Sequence, residues 1–517
     1  MTRAWPLLLA LAVGVAEGKS PKPAPPAPVA TPTTPTLTDA QRAAAFAAVD
    51  ASADPGARAD ALLAVLDNPS LAPAHGEAWA RLGVILDQAE LDIAALHAWA
   101  QAVRLDPAAM GPTIGLALDA AARVGDEGAI GEALANATAP VPTDAETRSR
   151  IAEVAGRWHL RHDNLGAAVA MLAIADPNAK NGPEVRALQG IVAAQQGRPA
   201  DAVTAFQDAI QTGQRAERDP RWLRSQQLNL ARAYYAAENF GMAIFFFAET
   251  PRDSHAWAEA QFERAWAHFR ADDMNGALGL LMTLESPFFE DWYVPEADLL
   301  RAYAFFMMCK FAEAKTRIDA FDERYLPLRQ ALDKVAPTMD DAAYFADIQA
   351  LKAGRPTQLP TAMVRTYTQD DRFDEAVRFV AEADREAALA TFSGKRIDGA
   401  AKAWIRAQQQ ARVHDEATRV RTRVEKARAE LTEMLQGIQI TGVDITTLEA
   451  DLYERAAATG TLDFGDPSAR LKTLRREKKG YHVWPFEGEY WQDELGWYQV
   501  DARPDCPEKL ATGENKR

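Results

Sequence analysis

Two cysteines in 517 residues leave no material for a disulfide framework or a Cys-rich zinc site. Cations are also short, with 57 Lys and Arg against 73 Asp and Glu and a net charge of −16. No excess of positive charge is available to neutralise phosphates, which argues against a nucleic-acid partner. Past the first residues, no run approaches the ~18 apolar residues of a membrane span, so none is expected in the mature chain. A P-loop and a GxSxG elbow are both missing. The histidines are scattered; His159 and His162 stand three apart with no third ligand beside them. The expectation is a protein that is not an enzyme and uses no cofactor or metal. What remains is globular: 48% hydrophobic and 25% charged residues exclude wholesale disorder.

Residues 1–18 read as a secretory signal. Arg3 supplies a positive start, Leu7 to Ala16 a short apolar run, and Ala16-Glu17-Gly18 the small residues that a signal peptidase reads. Cleavage after Gly18 would deliver the chain to a periplasm or, alternatively, outside the cell. Residues 19–37 hold seven prolines. Proline fixes φ and removes donors, so this stretch is an extended linker, either a spacer or a passive tail.

From residue 38 to 332 a repeat dominates. Its clearest unit is GEAWARLGVILDQAELDIAALHAWAQAVRLDPAA, residues 76–109. Trp79, Leu82, Gly83 and Leu86 share one face of a first helix; Ala95, Trp99 and Ala102 share one face of a second. Small residues let the two helices approach, and Trp99 is expected to fill the gap to the next pair. The central small residue of each second helix recurs at Ala61, Ala95, Ala129, Ala168, Ala202, Ala243, Ala277 and Ala314, mostly at spacings near 34.

These residues resemble the tetratricopeptide-repeat (TPR) superfamily. The resemblance implies an all-α fold in which helix pairs stack as an α-solenoid, with the first helices lining its inner face. It implies binding and no chemistry. The stretch 257–330 is also loosely similar to periplasmic TPR proteins of gliding and predatory bacteria, of the adventurous gliding motility type. That likeness implies a place in a multiprotein envelope complex.

Inward-facing positions in the last repeats hold Arg232, Tyr235, Phe262, Trp266, Phe269, Tyr303 and Phe306, whereas earlier repeats hold small or mixed residues there, such as Ala80 and Ala187. Contiguous aromatics of this kind mark either a partner-binding groove or a seat for later helices of the same chain.

Residues 333–465 are helical but off-period. Val413, Ala417, Val420, Val424, Ala427, Leu431, Met434 and Ile438 alternate by four and three, a coiled-coil-like seam over 413–438. The seam is short, so a hairpin within one chain, completed by a helix carrying Ile445, Leu448 and Leu452, is expected over a dimer. In the last segment, 466–517, Arg470, Lys472, Arg475, Arg476, Lys478 and Lys479 read as a solvated basic helix face. Seven aromatics then fall between Tyr481 and Tyr498. Alternation at Tyr481-Val483 and Trp497-Gln499 reads as a small β-clasp leaning on the repeats. Trp484, Tyr490, Trp491 and Trp497, with nearby carboxylates, are the candidates for stacking on peptidoglycan or another polysaccharide. Cys309 and Cys506 would staple this tail if they meet in an oxidising compartment. The expectation is a monomeric exported scaffold for envelope proteins, with a glycan-binding module as its alternative.

Overall fold

In the computed structural model, the described residues are 37–289, 292–365, 371–392, 395–459, 472–475, 486 and 488–505. The signal-like residues 1–18 and nearly all of the linker lie outside them. The helices run in chain order as α1 (Asp39–Asp50), α2 (Pro55–Leu66), α3 (His75–Gln88), α4 (Asp92–Leu105), α5 (Ile114–Val124), α6 (Gly128–Ala135), α7 (Ala145–Arg161), α8 (Leu165–Leu172), α9 (Gly182–Gln195) and α10 (Pro199–Arg215). They continue as α11 (Pro220–Ala236), α12 (Phe240–Ala248), α13 (Trp257–Arg270), α14 (Met274–Leu284), α15 (Pro295–Met307), α16 (Phe311–Val335), α17 (Asp341–Lys352), α18 (Thr361–Arg365), α19 (Asp371–Leu389) and α20 (Arg396–Thr459). Among the described residues two strands follow, β1 (Lys472–Arg475) and β2 (Tyr498–Asp501), paired antiparallel. Among the described residues no helix is long and apolar enough to cross a membrane.

The small residues that carry the repeat all fall in even-numbered helices, and those from Ala168 to Ala314, with Ala95, are 0% exposed. Their pairing follows from glycine sockets. A Cβ on Gly83 would lie 2.3 Å from Trp99 Nε1, and one on Gly190 would lie 2.9 Å from the Phe206 ring. Trp99 therefore fills its own pair rather than the gap to the next, and its indole N–H donates to the Ala80 carbonyl at 3.2 Å.

A second regularity lies in the turns. The chain takes a left-handed residue between first and second helices at Glu90, Gly125, Asp163, Gly197, Glu238, Asp272 and Cys309. At three of them the next residue caps the second helix. Asn164, Asn239 and Asp273 each accept from a backbone N–H of the first turn.

The chain forms two compact units. Unit 1 holds α1–α10 with α19 and the part of α20 up to Glu416. Its core joins Phe46, Leu62, Leu86 and Trp99 with Phe379, Ala383, Ile397 and Ile405. The late helices are tied down by polar contacts. Both oxygens of Glu386, which is 0% exposed, accept from Ile93 N–H at 3.0 Å, so α19 caps α4, whose own cap position is Leu91. Asp60 accepts from the first backbone N–H groups of α20, and Trp404 stacks on His97. Burial lowers the His97 imidazole to about 4.

Unit 2 spans 227–370 and 417–517. The expected hairpin is instead one continuous helix, α20, with no turn between the seam and Ile445. Its seam is closed within the chain: Ala417, Val420, Val424, Leu431, Ile438 and Ile445 are all 0% exposed. Arg421 pairs with Asp341, Arg428 with Asp333, Gln439 bonds Asp322, and Glu449 pairs with Lys315. As the α20 number rises the partner number falls by nearly the same amount, so α20 lies antiparallel to α16 and α17.

Candidate functional site

The predicted inward-facing residues of unit 2 come together on α11, α13 and α15. Phe262, Trp266, Tyr303 and Phe306 are half-buried and pack against the core that α15, α16 and α20 share. Tyr235 is also half-buried, edge-on to Phe240 at 5.6 Å between ring centres. Phe269 does not belong to the row. It is 6% exposed and meets Trp266 edge-on from beneath, because its helix position turns it into the core. Ala80 and Ala187, predicted to face inward in earlier repeats, are likewise buried.

Charge along this row is paired unevenly. Arg232 makes a forked contact with Glu263 at 2.7 and 2.9 Å and reaches Glu259 at 3.0 Å. Burial still holds the Glu263 carboxyl above the usual carboxylate range. The Arg232 guanidinium is thus committed to the fold. On α15, burial and the neighbouring Glu430 of α20 push Glu296 up to about 7. Tyr293 donates to the Ala427 carbonyl at 3.4 Å, so α20 borders the row along α15.

The aromatic tail is anchored elsewhere. Residues 488–505 cross α14 and its flanking turns. Arg252 donates to the carbonyls of Gln492, Asp493 and Leu495 at 2.7, 2.9 and 2.6 Å while lying over the Trp257 ring. Gly496 N–H donates to Thr283 Oγ1, and Asn275 exchanges two hydrogen bonds with the Ala502 backbone. A Cβ on Gly279 would lie 2.4 Å from the Tyr498 carbonyl oxygen, so the strand rests directly on helix backbone there. Asp505 N–H donates to the Met308 carbonyl, and Lys310 Nζ lies 3.0 Å from the Asp505 carboxylate.

Three expectations about the tail are corrected or bounded. Strand β2 pairs with 472–475, which are therefore strand rather than a basic helix face; alternating residues in K-T-L-R fit an extended ladder as well as a charged helix. Tyr490 is occupied structurally, packed edge-on between Phe486 and Tyr498 at 5.0 and 5.8 Å. Burial raises its hydroxyl to about 12. Trp484, Tyr481, Val483, Arg470, Arg476, Lys478 and Lys479 lie outside the described residues. Trp491 and Trp497 are 58% and 47% exposed.

Cys309 occupies the left-handed turn between α15 and α16 and is disulfide-bonded. The sequence offers one other cysteine, Cys506, which lies outside the described residues. His159 is 5% exposed, and His162 stacks on Trp158 at 3.9 Å.

Sequence reasoning missed the trans cap from Glu386 and the Arg252 clamp. Neither has a local signal, since each joins segments more than two hundred residues apart.

No protein-family model matches the chain, and no curated protein matches it. Among solved structures, the chain has a likeness to a Rap protein complexed with competence and sporulation factor. That match has 10% identity and a TM-score of 0.30, covering 72% of this chain and 99% of the other. The likeness is too low to argue from, and the helix-pair architecture stands on the contacts described above.

Proposed function

We propose that this protein is an exported, periplasmic, TPR-like scaffold that binds protein partners along the first helices of unit 2. An extended peptide or partner helix would lie across α11, α13 and α15, with Trp266 as anchor and Tyr235, Phe262, Tyr303 and Phe306 around it. Arg232 holds the row in shape through Glu263 and is not itself the recognition group. The partners are other envelope proteins, in a motility or other trans-envelope complex. The reading includes no catalysis, cofactor or nucleic acid, and a monomeric chain.

The observation that carries it is the contrast between two aromatic sets. The tail, with aromatics enough to fill a groove, is anchored through Arg252, Asn275, Gly279 and Met308, while the row on α13 and α15 stays half exposed. Half-exposed aromatics on consecutive helices supply large contact area at low entropic cost. A photo-crosslinker at Trp266 in the native host tests this. An adduct with another protein is expected. An adduct with α20 or with residues 480–506 of the same chain would show that the row is filled internally.

The staple is the second part of the reading. Residue 505 is held on the very turn that carries Cys309, so a Cys309–Cys506 bond would need no rearrangement of the tail. Peptide mapping without reductant is expected to yield one linked peptide containing both cysteines. Separate peptides carrying free thiols would sink this assignment.

A further inference from the structure

The turn at 491–497 is built more rigidly than a tail needs and presents its two largest apolar side chains outward. Glu494 N–H donates to the Trp491 carbonyl at 3.0 Å and Trp497 N–H to the Glu494 carbonyl at 2.9 Å, so two successive turns fix the backbone between the indoles. The Arg252 guanidinium holds three carbonyls from inside. Leu495, 4% exposed, plugs the turn into the cluster of Trp257, Met282 and Tyr498. Gly496 adopts φ 83°, and a Cβ there would lie 2.9 Å from the Trp257 ring. Leu495 is thus the anchor of the turn, and Trp491 and Trp497 are 58% and 47% exposed.

The surroundings decide what could lie on those rings. Glu489 and Asp493, both exposed, sit within the same short segment. Carboxylates in that segment repel an anionic bilayer or a polyanionic polymer. They accept hydrogen bonds from hydroxyl groups. An indole face, negative at its centre, attracts weakly positive C–H groups. Flat faces of C–H groups edged by hydroxyls are the surface of a neutral pyranose ring. We infer that the 491–497 turn is a stacking site for a neutral polysaccharide, with Trp491 and Trp497 as platforms and Glu489 and Asp493 as hydroxyl acceptors.

This site is separate from the row around Trp266 and stands or falls independently. The test is native affinity electrophoresis of the full chain through gels holding hydroxyethylcellulose, galactomannan, dextran or alginate, with a parallel flotation assay on phosphatidylglycerol vesicles. Retardation by at least one of the three neutral polymers is expected, with no response to alginate or vesicles. Trp491→Ala and Trp497→Ala are each expected to weaken that retardation about tenfold. Trp491→Tyr, which keeps a ring, should recover much of it. Trp491 is the more exposed of the two indoles, and the melting temperature should hold in both of its variants. If an alanine variant melts early, Trp491→Tyr against wild type becomes the reading, since loss of binding there would contradict a stacking platform. Failure of all three neutral polymers to retard the wild type would overturn the proposal. Retardation indifferent to both alanine substitutions, or binding confined to the vesicles, would overturn it equally.

Discussion

Replacing Trp99 by alanine is expected to cost about 3–5 kcal/mol of unfolding free energy. The side chain is 0% exposed and sits on the α-carbon of Gly83, where the backbone was kept bare to receive it. Its removal leaves a cavity between two helices that contact each other extensively, and neither can collapse without shifting the rest of unit 1. Urea unfolding followed by far-UV circular dichroism would read the loss. The companion substitution gives a sharper check. Gly83→Ala alone should destabilise, because its Cβ would meet the indole at 2.3 Å. In a Trp99→Ala background the same change should be neutral or favourable, since it then fills space. A double-mutant cycle without that reversal would mean the socket has been misread.

The second large effect is a pH dependence centred on Glu386. Burial pushes this carboxyl from an ordinary 4.5 up to about 7, with Asp92 and Glu382 adding repulsion and the N–H groups of Ile93 and Ala94 opposing it. The folded chain therefore holds the proton more tightly than the unfolded one. Stability that is fully present below about pH 4.5 is lost as pH rises toward 7, and the loss is complete above it. At 1.36 kcal/mol per pH unit the span is about 3 kcal/mol. Glu386→Gln keeps an acceptor for the Ile93 N–H and has no proton to lose. The stability difference between variant and wild type is expected to move by that amount in favour of glutamine between pH 5 and pH 8. Parallel profiles would refute the assignment. Glu296 titrates in the same window and its contribution is common to both proteins. His97, lowered to about 4, works at the acid end: stability present above its ordinary 6.5 is lost as pH falls toward 4.

Repeats were legible because close packing leaves a mark in every copy. Where helices cross, only a small residue fits, so Ala95, Ala168, Ala202 and their equivalents recur in register and are buried without exception from the fourth pair on. The seam of α20 was legible for a similar reason, since period alone places Leu431 and Ile438 on one line. Its partner was not, because a heptad pattern says that something covers it and not what. Left-handed turns leave no mark in the sequence where glutamate or aspartate stands in place of glycine, at Glu90, Asp163, Glu238 and Asp272. Phe269 was misplaced by one helical position, which is enough to turn a groove residue into a core residue. In the sequence Arg232 reads as a partner-facing cation because Glu263, its partner, lies on another helix. The 472–475 strand was hidden by charge: lysine and arginine mark exposure, and exposure is compatible with either a helix or an edge.

Glu386 and Ile93 lie 293 positions apart. At ribosomal rates of about 5–20 residues per second, the first repeats wait roughly 15–60 s before α19 is made. Throughout that interval the surface later covered by Phe379, Ala383, Ile397 and Ile405 has no lid, and the start of α4 has no cap. Within unit 1 the opening repeats, although the first to be made, are therefore among the last to be finished. A newborn chain is most vulnerable to aggregation at its beginning, and anything that stalls synthesis before residue 371 leaves that beginning permanently open.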